Sequence, residues 1–225
     1  MKTTFGLLCI LLSLSMSIFG HAQKAKKVKS FGGIVTYDIT YEGEDIDATT
    51  LAQLPSQLVV SISGNKIRNE QISPFYSMAS ISNLDDGSTI VLIDMMGMKI
   101  AVNQTKEDME KNLEEAGIED PVINILDETK VIAGYNCKKA EVTTGEDMVE
   151  VYFTEEVVVP AGINDQNGFK GINGLLMEYT VNQQGMVMTM TVKEVKKAKV
   201  KAGMFVIPDD YEIKTVEELG GLLGG

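Results

Sequence analysis

Tryptophan is absent from this sequence of 225 residues, and histidine occurs once, at His21. His21 falls in a leader expected to be removed, so the remaining chain holds neither residue. Loss of histidine removes the usual base of serine and cysteine nucleophiles and the ligand of nearly all catalytic zinc sites. Cysteine is almost as scarce. Cys9 lies in the leader, and Cys137 is left with no partner for an internal disulfide, so the fold must be held by its core. Arg68 is the only arginine outside the leader. Basic residues are outnumbered, 20 Lys and Arg against 32 Asp and Glu, for a net charge of −12, or −13 once Lys2 leaves with the leader. Such a field repels phosphate-rich partners and argues against nucleic acid and anionic membrane surfaces.

A long hydrophobic run is also lacking. The only candidate is FGLLCILLSLSMSIF, about fifteen residues, and a spanning helix needs roughly 20. With Lys2 before it and Gly20-His21-Ala22 after it, the run reads as a secretory signal peptide cleaved after Ala22, which predicts a periplasmic or secreted protein with no transmembrane segment left. The expected organisation is a signal peptide at 1–22, a basic linker at 23–30 containing KAKKVK, a single β-rich domain at 31–219 and a flexible glycine-rich tail at 220–225.

What is present is alternation. GGIVTYDITYE at 32–42 sets Val35, Tyr37, Ile39 and Tyr41 on one face and Thr36, Asp38 and Thr40 on the other. Similar runs follow between Gly, Asn and Asp turns, ten or eleven strands in all, ending in MFVIPDDYEI at 204–213 with a last short strand before Pro208. One segment changes period. Thr105, Glu107 and Asp108 at its start and Gly117 at its end predict a helix with one narrow stripe, Met109, Leu113 and Ala116, laid on a sheet. PAGINDQNGFKG at 160–171 reads as a surface loop or a single helical turn. The class expected is mainly β with one or two helices.

VIAGYNCKKAEV at 131–142, VYFTEEVVVP at 151–160 and GINGLLMEY at 171–179, in that order, resemble the GLPGLI family and the related domain of unknown function 4412. The naming motif stands here as Gly171-Ile172-Asn173-Gly174-Leu175-Leu176, with Asn173 in place of proline. The resemblance implies a lipoprotein-carrier-like (LolA/LolB-like) fold: a strongly bent antiparallel sheet, a half-open barrel, closed by helix. Relatives by fold carry acyl chains in the hollow, which is analogy at the level of fold.

The residues offer one candidate site. Met186, Met188 and Met190 alternate along one strand face, and Met177 and Tyr179 share a face of the strand before it. Three readings stay open: ordinary core filling by an adaptable side chain, a cavity for a lipid-like chain, or a Cu(I) site, which would need ligands from a neighbouring strand. The expected cavity lining is Val35, Tyr37, Ile39, Met177, Tyr179, Met186, Met188 and Met190, with Arg68 as a possible head-group contact. Acid pairs such as Glu155 and Glu156 read as solvated charge, as does EGEDID at 42–47, which lacks the spacing of a calcium loop. No catalytic residue, metal or cofactor is expected. The function expected is that of a non-enzymatic protein binding an acyl chain or a lipidated partner. Its rival is an envelope-associated interaction module with a solid core.

Overall fold

The computed structural model describes residues 29–43, 46–115, 117, 119–165, 168–183, 185–216 and 218–219. The expected leader and tail, most of the linker, and Glu44 and Asp45 of the acidic stretch lie outside the described residues. Among those described, twelve strands form one sheet, against the ten or eleven expected. The first six are β1 (Gly33–Glu42), β2 (Gln57–Ser63), β3 (Lys66–Ile72), β4 (Tyr76–Asn83), β5 (Ser88–Met95) and β6 (Met98–Gln104). After a ten-residue helix come β7 (Val122–Ile132), β8 (Tyr135–Thr144), β9 (Asp147–Thr154), β10 (Leu175–Gln183), β11 (Met186–Lys197) and β12 (Glu212–Lys214). A short helix α1 (Ala48–Leu51) sits between β1 and β2, and α2 covers Lys106–Glu115.

Each half of the chain is an antiparallel meander, and the halves join where β1 pairs with β11, Tyr37 opposite Val192 and Ile39 opposite Met190. The order is therefore β12-β6-β5-β4-β3-β2-β1-β11-β10-β9-β8-β7, with β12 and β7 as open edges. Connectivity forces this sheet to bend. From β6 to β7 there are ten inter-strand steps, about 48 Å across a flat sheet. The link between them, 105–121, holds the helix α2 and seven other residues, a reach of about 39 Å even when drawn taut. Curling brings the edges close enough for the helical link to span the mouth, which is the bent, open, β-rich class expected.

The helix starts as expected. Thr105 Oγ1 accepts from the Asp108 N–H at 3.1 Å while Asp108 Oδ2 accepts from the Thr105 N–H at 2.9 Å, a reciprocal cap. Its apolar stripe is weaker than expected: Met109 is half-buried and Leu113 exposed, Ala116 lies outside the described residues, and no described side chain of α2 is buried. The short strand expected before Pro208 does not form, and the last strand comes after it. Ala202–Phe205 forms a 3-10 turn, Pro208 accepts from the Tyr211 N–H at 3.1 Å, and only then does β12 run parallel to β6. The turn tucks Phe205 into the smaller core, which takes that segment out of the sheet.

Two cores lie on opposite faces of the sheet. Residues paired directly across strands share a face, and successive residues alternate. Val35 lies opposite Val60, Tyr37 opposite Leu58 and Ile62 opposite Ile67, all in the larger core. Arg68, next to Ile67, lies opposite Ile81, which packs with Ala79, Leu92 and Ala101 in the smaller core under Phe205 of the C-terminal segment. The strands β7–β11 expose ion pairs on the face away from the large core, among them Lys139 with Glu150 at 2.8 Å and Lys193 with Asp38 at 3.1 Å.

Candidate functional site

The structure gathers six of the eight expected lining residues into the large core. Val35, Tyr37, Ile39, Met177, Tyr179 and Met190 are buried there, while Met186 and Met188 are half-buried. Burial of the two tyrosines is specific. The Tyr37 hydroxyl donates to the Leu176 carbonyl at 2.8 Å, and the Tyr179 ring meets Tyr37 and Phe169 edge-on, with centroids 5.9 and 5.5 Å apart. Desolvation pushes both hydroxyls well above the usual tyrosine range. Neither of two clefts on the described surface is lined by any of the eight. Arg68 is not brought to them. Pleat alternation places it on the opposite face, where Nη2 donates to Glu70 Oε1 at 2.5 Å and Nη1 to the Met204 carbonyl at 3.4 Å.

The segment read as a surface loop is a lid over the large core. Val157, Pro160, Asn164, Phe169 and Ile172 are buried. Asn164 holds the lid shut: its Nδ2 donates to the carbonyls of Ile172 at 2.8 Å and Gly174 at 2.9 Å. Ile163, Phe169 and Ile172, large apolar residues spaced through a glycine- and asparagine-rich stretch, are the signal that could have revealed it. Cys137 is fully buried, its Sγ donating to the Tyr135 carbonyl at 3.3 Å, and burial raises its pKa. A thiol in that state is a poor nucleophile.

The larger cleft, about 1030 Å³, opens where the chain enters β1 and leaves β11. Its walls are apolar, from Phe31, Ile62, Val157, Val158, Val195 and Val200, and the Phe31 N–H donates to the Val158 carbonyl at 2.6 Å across it. Lys29, Lys197 and Lys199 contribute to the lining, a local cationic lip on a chain of net charge −12. The one carboxylate there, Glu156, is engaged by the backbone and side-chain nitrogens of Asn136 at 3.1 and 3.0 Å. The Ser30 hydroxyl is buried beside the cleft with no hydrogen-bond partner. A smaller cleft of about 210 Å³ lies under the lid, beside Pro160 and Ile172.

Residues 35–210, from β1 to the turn before β12, match the family described as N-glycanase peptide, N-terminal domain. The chain belongs to this family. Its fold is that of part of PNGF-II: one PNGF-II structure aligns with a TM-score of 0.51 and 16% identity over 87% of this chain. This chain spans only 34% of that one, about a third of its length. The lipoprotein LppX of Mycobacterium tuberculosis aligns at 11% identity over 74% of this chain and 90% of its own, with a TM-score of 0.30, too low to carry an argument. No curated protein matches.

Two expectations are corrected by this membership. The motifs that resemble the GLPGLI and 4412 families lie in an N-glycanase N-terminal domain, because a glycine-flanked turn into a buried strand is a demand many sequences meet. The expectation of a protein with no part in enzymatic chemistry is overturned, since the family is defined on an enzyme. It rested on missing histidine, and that absence speaks for residues 23–225 alone. Among the described residues no helix is long and apolar enough to cross a membrane.

Proposed function

We propose that this chain serves the release of N-linked glycans, engaging the glycoprotein substrate as the N-terminal module of an N-glycanase. One observation carries the reading: the family match over 35–210 takes in both cores and the lid, the whole working frame and not a shared motif. The reading includes export, with cleavage after Ala22 delivering the module to the periplasm or the medium, where glycoproteins are met. The test is binding of an N-glycosylated protein to the purified chain before and after its glycans are stripped, with mass spectrometry for any glycan released. Binding at least tenfold tighter with the glycans in place, or their release, supports the proposal. Equal affinities with no release reject it.

A second reading has its own observation. The larger cleft joins apolar walls to a lysine lip, the chemistry that suits an anionic amphiphile such as a fatty acid. This is the acyl-chain reading moved from the packed core to the surface. A fluorescent long-chain fatty acid should bind one per chain, and Lys197→Glu with Lys199→Glu should weaken it about tenfold. A probe that binds the double variant as tightly, or a fatty alcohol that binds equally well, removes the reading.

A further inference from the structure

The β3–β4 and β5–β6 hairpins end side by side, because Tyr76 of β4 lies opposite Met95 of β5 and Met95 lies opposite Met98 of β6. At this end Phe75, Met78, Met95, Met96 and Met98 are all exposed and none belongs to either core; the pairing puts Met78, Met95 and Met98 on one face, while Ile72, also exposed, lies on the other. Single exposed apolar residues are ordinary, but a contiguous group on adjoining hairpins marks a contact surface. Met96 adds an independent sign. It is 88% exposed, yet its φ is +53°, a left-handed conformation that crowds the Cβ of a side chain such as methionine. Asparagine or glycine would serve the turn better, and the turn already has its own brace, the Gly97 N–H donating to Asp94 Oδ1 at 3.1 Å. The fold gains nothing from methionine there.

We infer that this hairpin end is a docking surface for a polypeptide segment that combines apolar and basic side chains. Methionines suit it, since flexible thioethers adapt to varied partners. Charge selects the partner. The chain carries −12 overall, and the cation nearest the patch in sequence, Lys99, is held by Asp210 at 2.6 Å and Asp94 at 3.8 Å. A second copy would bring the same charge, and an anionic membrane would be repelled. Strand β12 runs parallel to β6, so it carries the chain away from Met98. That the segment belongs to a glycoprotein substrate rests on the function proposed above; its apolar and basic character does not.

The test uses the full chain and three unglycosylated twelve-residue peptides, built of Leu and Lys, Leu and Glu, or Ser and Lys. The Leu/Lys peptide should bind at least tenfold tighter than either counterpart. The combined change Phe75→Asp, Met96→Asp, Met98→Asp should cost tenfold or more with an unchanged circular dichroism spectrum. Met96→Asn alone should raise the melting temperature while weakening the peptide, a pairing that a structural role for Met96 would not produce. Equal binding of all three peptides, or affinities that neither variant moves, overturns the proposal. So does concentration-dependent dimerisation, or uptake on anionic vesicles, that the triple change abolishes. Because the peptides carry no glycan, their binding can stand while glycan-dependent binding fails, and the reverse, so the two proposals fall separately.

Discussion

Replacing Gly174 by alanine should remove about 3 kcal/mol of unfolding free energy, lowering the melting temperature by roughly 10 °C. A Cβ at Gly174 would stand 2.6 Å from the Thr154 carbonyl oxygen, 3.1 Å from its carbon and 3.0 Å from the Phe153 ring. Two of those atoms are backbone of β9, and the ring is 1% exposed, so nothing there can swing aside. Relief requires β10 to part from β9 at the Leu175–Thr154 pair. The same movement drags the Gly174 carbonyl from Asn164, leaving a buried amide short of one of its two acceptors. Gly203→Ala is the control, because no atom lies within 4 Å of the place its Cβ would take and its φ is ordinary for any residue. Its unfolding free energy from urea titration should stay within about 0.5 kcal/mol of the parent's. Equal midpoints for the two variants would show that the lid-to-strand junction is loose.

That junction also shows what a reader of the sequence could and could not recover. In GINGLL the pattern is physical: Gly171 takes a φ of +101°, Ile172 is buried, Gly174 admits the β9 backbone, and Leu175 and Leu176 enter the core. The motif is visible as a signal because each position has a local demand. Its family is not, because the demand is generic. Alternation exposed the strands for the same reason, since the pleat ties burial to parity. Parity says that Tyr37, Tyr179 and Met190 share a face with Val35; it is silent on whether the space before them is empty. Phe169 reaches Tyr179 from a stretch whose glycines and asparagines read as surface. The apolar cleft draws its walls from the N-terminal entry, the β2 end, the lid and the β11 exit, places far apart in sequence. Arg68 failed as a cavity residue by one step of the pleat.

Above pH 10 the protein should lose stability at a rate that Tyr37 and Tyr179 set. Each hydroxyl is pushed above its usual 10, by desolvation first and, at Tyr37, by the neighbouring Tyr179 as well. The sign follows from proton counts. Below pH 10 both states hold both protons and the contribution is fully present. Above it the unfolded chain gives them up while the folded core cannot, so stability falls with rising pH by about 1.4 kcal/mol per unit for each tyrosine. The pair together should cost about 2.7 kcal/mol per unit. Tyr41, pushed up to about 12, and the lysines raised by carboxylate partners, such as Lys99 beside Asp210, act in the same direction. Tyr37→Phe separates the core term from these. At pH 7 it should be less stable by about 1–2 kcal/mol, for the lost bond leaves the Leu176 carbonyl unpaired. Its decline above pH 10 should be shallower by about 1.4 kcal/mol per unit, so the gap to the parent closes by about pH 11 to 12. Urea unfolding at stepped pH measures both slopes, and tyrosinate absorbance tells whether the core hydroxyls ionise before or with unfolding. Parallel slopes, or ionisation of every tyrosine in the folded state, would mean that water reaches Tyr37 and that the large core is not sealed by its lid.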